Sequence, residues 1–153
     1  QASLPSMAMA FSTTSSLATL PTMLDAGREM KMSPPLASFV LPVGASVGRA
    51  GSALYQAVAV LFVAQLYGVP FGFTEMFQAG AAVFLASLTV ASVPAASVVS
   101  LTPAFAQTGL PFSGMTLLIG IDRIPDMFRT MTNVTGDLTS AVVVASIEGE
   151  KLE

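Results

Sequence analysis

No Asp, Glu, Lys or Arg occurs between Met76 and Ile121, and the stretches Ala50–Thr74 and Met32–Gly48 are equally free of charge. A helix needs about 20 apolar residues to cross the ~30 Å hydrocarbon core of a bilayer, a length that the first two stretches reach. A soluble domain must clothe its exterior with charge and carries about 25% charged residues. This chain has 10%, against 53% hydrophobic residues and a mean hydropathy of +0.74. Six basic and nine acidic side chains are too few to coat 153 residues. Lipid is therefore the expected solvent for most of the chain.

The same composition removes several function classes. A net charge of −3 leaves no basic patch for nucleic acid. The absence of Cys and His removes disulfides, thiol and imidazole catalysis and the usual zinc sites. No nucleophile–base pair or phosphate loop is visible, so neither an enzyme nor an organic cofactor is expected. The chain opens on Gln1 and shows no basic segment ahead of an apolar stretch, so it reads as a piece of a longer protein without a recognisable signal peptide.

Along the chain, Gln1–Leu24 is uncharged and rich in Ser, Thr and Ala, with Thr13, Thr14, Ser15 and Ser16 in a row. The polar stretch Asp25–Lys31 and the pair Pro34-Pro35 predict a short aqueous loop before a new helix. Leu36–Tyr67 is long enough to span, but glycines 44, 48 and 51 and Arg49 fall in its middle. Each glycine lowers helix propensity by about 1 kcal/mol relative to Ala, so a break is expected there. Broken backbone at membrane depth lines a cavity or is buried in protein; close packing through small residues is the plainer alternative. In Phe71–Thr108 two apolar arms flank Ala91-Ser92-Val93-Pro94-Ala95-Ala96-Ser97. Each arm extends only about 22 Å at 1.5 Å per residue, which favours a re-entrant hairpin over a single kinked helix.

The last predicted helix, Phe112–Ser146, carries Asp122, Asp126, Arg129, Asn133 and Asp137, spaced by four, three, four and four residues. At about 100° per residue these five fall within a stripe about 80° wide. Charges inside a span cost several kcal/mol and mark ion or substrate paths. A helix lying on the membrane surface is the alternative, but its polar face would be rich in Lys and Arg rather than in Asp.

These segments resemble, in order, the C-terminal core of the glutamate transporter homologues, the dicarboxylate/amino acid:cation symporters. Ser15-Ser16-Leu17-Ala18-Thr19-Leu20-Pro21 resembles the serine-rich tip of the family's first re-entrant hairpin. Leu41-Pro42-Val43-Gly44-Ala45 and Gly51-Ser52-Ala53-Leu54-Tyr55-Gln56 resemble the flanks of its broken seventh helix. Ser92-Val93-Pro94-Ala95-Ala96-Ser97 stands where the second tip belongs, and the run Asp122 to Asp137, ending Asn133-Val134-Thr135-Gly136-Asp137, resembles the eighth helix. The resemblance implies an all-α membrane protein with a broken transmembrane helix, two re-entrant helical hairpins, the first of them partial, and an amphipathic final transmembrane helix. It divides the chain into part of hairpin 1 (1–31), broken helix 7 (34–68), hairpin 2 (71–109) and helix 8 (112–147), with the N-terminal scaffold helices absent.

The function implied is secondary transport of an acidic amino acid such as aspartate or glutamate, in the inner membrane of a bacterium, by a homotrimer. The alternatives are a C4-dicarboxylate symporter and a substrate-binding paralogue that does not transport. By the same resemblance Arg129 would grip the distal carboxylate and Asp126 the ammonium group of the substrate. Thr130, Asn133 and Ser52, helped by Ser15 and Ser16, would hold its main-chain carboxylate, and Val93 and Pro94 would form the outer gate. Gly48, Asp122, Asn133 and Asp137 would lie where the family places its coupling cations, sodium or a proton. The family's usual Asn-Met-Asp triplet is replaced here by Gly48-Arg49-Ala50. Two oxygen ligands are thereby lost, and Arg49 is expected to reach Asp122 or Asp137 and stand in for sodium, because a buried Arg needs a partner. Ser92, Ala95 and Ser97 stand where the family commonly has glycine, which would stiffen the outer tip.

Overall fold

The computed structural model describes residues 2–88 and 96–152. The described residues are helical, with no strand among them: α1 (Leu4–Thr13), α2 (Ser16–Glu29), α3 (Pro34–Val47), α4 (Ala50–Leu66), α5 (Phe73–Leu88), α6 (Ala96–Val99), α7 (Thr102–Thr108), α8 (Ser113–Ile121) and α9 (Arg123–Ile147). The order is a helical pair followed by an interrupted helix, and then the same again. α1 packs on α2 ahead of α3 and α4, and α5 packs on α7 ahead of α8 and α9. Val93 and Pro94, expected in the outer gate, lie outside the described residues.

The helix boundaries have local causes. Thr14 ends α1 in the left-handed region, at φ 53°, and Ser15 caps α2 by accepting a hydrogen bond from the Ala18 N–H at 3.3 Å. Pro34 and Pro35 open α3 at positions where a missing N–H costs nothing. The loop expected over Asp25–Lys31 is shorter than that, because α2 continues to Glu29, with Asp25 and Arg28 paired at 2.7 Å across one exposed turn. The final helix, expected as one piece, is jointed at Asp122. Pro125 has no N–H to offer the Ile121 carbonyl, and the Asp122 N–H reaches the Ile119 carbonyl at a loose 3.4 Å.

Two apolar cores flank this joint. In one, Met23, Ala26, Ala37 and Leu41 from α2 and α3 meet Val134, Leu138 and Ala141 from the far half of α9. In the other, Val60 and Val63 from α4 meet Val83, Val98, Leu101, Phe105 and Leu118. Small side chains dominate both cores and let backbones approach closely. The outside is greasy too, with Phe73 87%, Phe77 73% and Phe39 70% exposed. Pro34–Leu66 is long and apolar enough, among the described residues, to cross a membrane, and the gap at Gly48 and Arg49 falls in its middle.

Candidate substrate site

α9 touches α1, α2, α3, α4 and α8, so whatever its polar stripe faces lies inside the molecule. All five stripe residues are buried, and so are Thr130, Arg49 and Ser52. The stripe divides into three clusters along the helix.

At its start, Arg129 Nη2 donates to Asp126 Oδ1 at 2.5 Å, and Nη1 donates to Asp122 Oδ1 at 3.3 Å. The three residues share a face because the separations, three and seven positions, return close to whole helical turns. Thr130 Oγ1 adds a longer bond to the same Asp126 oxygen, at 3.4 Å. Tyr55 of α4 lays its ring 4.6 Å from the Arg129 guanidinium carbon, a cation–π contact. Two carboxylates around one guanidinium leave a net negative charge, which burial makes sensitive to any incoming cation.

In the middle, Asn133 joins α9 to the start of α4. Its Oδ1 accepts from the Gly51 N–H at 2.8 Å and the Ser52 N–H at 3.3 Å, and its Nδ2 donates to Ser52 Oγ at 3.2 Å. α4 has no side-chain cap of its own, so Asn133 satisfies, from another helix, N–H groups that a helix start leaves unpaired. Gly51 makes this approach possible, since a Cβ there would run into the Arg129 carbonyl and come within 2.9 Å of the Thr132 Cβ.

At the far end, Asp137 presses into the gap between α3 and α4. A Cβ on Gly48 would overlap Asp137 Oδ1, and one on Gly44 would sit 3.1 Å from the Asp137 Cβ. The expected glycine break is present, and close approach to α9 is its reason as much as low helix propensity. Arg49 Nη2 donates to the Ser46 carbonyl at 2.8 Å, and the charges of Arg49 and Asp137 attract each other. Of the two carboxylates expected for Arg49, Asp122 is held by Arg129 and Asp137 faces Arg49. The residues grouped for a cation therefore separate: Asp122 and Asp137 are roughly 22 Å apart along α9 at 1.5 Å per residue. Among the described residues no three acidic side chains gather as metal ligands.

At the tip between α1 and α2, Ser16 is buried, and the Ser15 hydroxyl is occupied in capping α2. Three further polar contacts lie outside the sequence-based expectations. They are Tyr55 over Arg129, the Gln56 Nε2 bond to Ser100 Oγ at 2.5 Å, and the Arg123 Nη1 bond to Thr14 Oγ1 at 3.2 Å. A polar residue within apolar α4, and a second Arg beside Asp122, were the available signals. A groove of about 380 Å³ reaches Arg129 from the flank, but Leu54, Val58, Phe62, Leu118, Ile121 and Phe128 line it, so it offers a polar solute little.

The profile of the sodium:dicarboxylate symporter family matches residues 1–147. The chain is 37% identical over 142 residues to the proton/sodium-glutamate symport protein of Bacillus caldotenax, covering 93% of this chain and 34% of that protein. It is 35% identical over 140 residues to the proton/glutamate-aspartate symporter of Escherichia coli K12, covering 92% and 32%. With excitatory amino acid transporter 3 of Mus musculus it shares 37% identity over 140 residues, covering 91% and 27%. The chain thus spans about a quarter to a third of the length of these relatives. The profile match takes in every polar cluster described above, and the chain belongs to the sodium:dicarboxylate symporter family.

Proposed function

We propose that residues 1–153 form the C-terminal core of a symporter that carries acidic amino acids across a membrane, the inner membrane of a bacterium. The observation that carries this reading is the buried Arg129, held between Asp122 and Asp126 and covered by Tyr55. An amino acid bearing a second carboxylate can exchange partners with this cluster. Its ammonium takes Asp126 while its distal carboxylate takes Arg129, so both of these groups keep a partner of opposite charge through the exchange. A plain dicarboxylate offers Asp126 only like charge, which argues against the C4-dicarboxylate alternative. Thr130, Ser52, Asn133 and the α1–α2 tip with Ser15 and Ser16 bind the main-chain carboxylate, and that tip and Val93-Pro94 act as the two gates. In this reading both helical pairs re-enter the bilayer, and the intact protein is a trimer.

Coupling follows from the buried charges. Asp122, Asp126 and Asp137 against Arg49 and Arg129 leave one net negative charge, and an acidic substrate adds another. A cation must accompany it, since unpaired charge in this setting costs several kcal/mol. Arg49 facing Asp137 supplies a fixed positive charge where a bound ion would otherwise be needed, so we assign the coupling to a proton and make transport independent of sodium. Aspartate uptake by the full-length protein in vesicles separates the cases. Uptake in sodium-free buffer, driven by an inward proton gradient, is expected; steep dependence on sodium would overturn the role of Arg49. Bound aspartate without uptake under either gradient would identify a non-transporting paralogue.

A further inference from the structure

We infer that Arg123 is a positioning residue that latches the α1–α2 tip to α9 through Thr14, and so sets how readily that tip opens. The inference deepens the transport reading above and rests on it for its consequence, though its geometry is independent of any substrate. Arg123 is the first residue of α9, where a cation works against the helix dipole, so its position there needs another reason. The contact it makes supplies one. Its Nη1 donates at 3.2 Å to the hydroxyl of Thr14, the first of the two residues that join α1 to α2. Thr14 has a φ of 53° and is 2% exposed, and its hydroxyl donates in turn to the Thr13 carbonyl at 2.7 Å. That hydroxyl thus accepts from α9 and donates within the tip.

The bond ties two parts of the site together. Thr14 immediately precedes the Ser15 cap of α2, and Arg123 immediately follows Asp122, the outer carboxylate on Arg129. A displacement of the tip is therefore felt at the start of the polar stripe. A second contact, the edge-to-face pair of Phe11 and Phe128 with centroids 5.2 Å apart, holds the end of α1 on α9 without charge. The aromatic pair keeps the helices adjacent when the polar bond is broken, which makes Arg123 a latch rather than a structural pillar. Arg123 as a whole residue is exposed, so water is at hand to take over the bond to Thr14 when the latch opens.

The test uses the full-length protein, with cysteines introduced at the exposed Leu17 and Ile124 and spin-labelled to measure the tip-to-α9 distance without substrate. The latch predicts one narrow distance for the parent and a longer, broader distribution for both Arg123→Gln and Thr14→Val. The double variant should go no further than either single one, and Arg123→Lys, which keeps a donor, should restore much of the narrow population. Aspartate binding should weaken about three- to tenfold in Arg123→Gln, the size expected for one ordinary hydrogen bond at a partly solvated site. Unchanged distances in both single variants, additive effects in the double variant, or failure of Lys to rescue would overturn the latch. A parent protein that shows the distance changes on mutation but binds no aspartate would refute the transport reading and leave the latch standing.

Discussion

Glycines and carboxylates in this chain are defined by what lies within a few ångström of them. Gly51 faces the Arg129 carbonyl, a backbone atom with little room to move, whereas Gly136 in the same region of α9 meets nothing within 4 Å. Gly51→Ala should lower stability by about 1–3 kcal/mol, the usual cost of forcing an extra carbon into a packed site. Gly136→Ala should raise it by about 0.5–1 kcal/mol through helix propensity. Thermal unfolding of the two variants in detergent checks both signs. Asn133→Ala removes the acceptor of two buried N–H groups at the start of α4 and should cost about 1–3 kcal/mol in the same assay. Asp126→Asn keeps the shape but loses the negative charge offered to an ammonium. Calorimetry should find aspartate binding weakened by about a hundredfold, within the 2–5 kcal/mol typical of truncating a buried charge pair, and succinate affected less.

Helices show which parts of the sequence carried information. The gap at Gly48 and Arg49 and the inward stripe of α9 were both legible, because glycine placement and a spacing of three and four residues are local signals. The helical course of Asp25–Glu29 was not, because charged residues read as loop when their partner one turn away is ignored. The joint at Asp122 was missed although Pro125 announces it, since the polar periodicity runs straight through. Least legible was the capping of α4 by Asn133, which spans 82 positions in sequence and leaves no trace in either helix alone. A similar long-range cap closes the other end, where the Glu150 carboxylate accepts from the Ser33 N–H at 3.0 Å at the start of α3. Hydrogen bonding to Ser33 holds Glu150 below the ordinary glutamate value of 4.5. The contact therefore contributes fully above pH 4.5 and fades as the pH falls through the lower folded value. Amide exchange at Ser33 should accelerate on acidification beyond the intrinsic pH trend, and Glu150→Gln should remove that excess.

Across the molecule, one apolar core grips the far half of α9 and the other joins α4, α5, α7 and α8 ahead of the joint, while the polar clusters of α9 face the interrupted α3–α4 unit. An apolar exterior around a charged interior suits a bilayer and would aggregate in water. In the proposed coupling Arg49 offsets the charge of Asp137, so Arg49→Gln should leave that carboxylate uncompensated. Uptake by that variant should fall at least tenfold in sodium-free buffer, with partial recovery on adding sodium the sign that an ion has taken the place of the guanidinium. Labelled aspartate uptake by the full-length protein, with and without Arg129→Ala, tests the proposed exchange of partners at Arg129. Saturable aspartate uptake that exceeds succinate uptake and disappears in Arg129→Ala is the result predicted. Aspartate uptake that survives the substitution, or a preference for succinate in the parent, would contradict it.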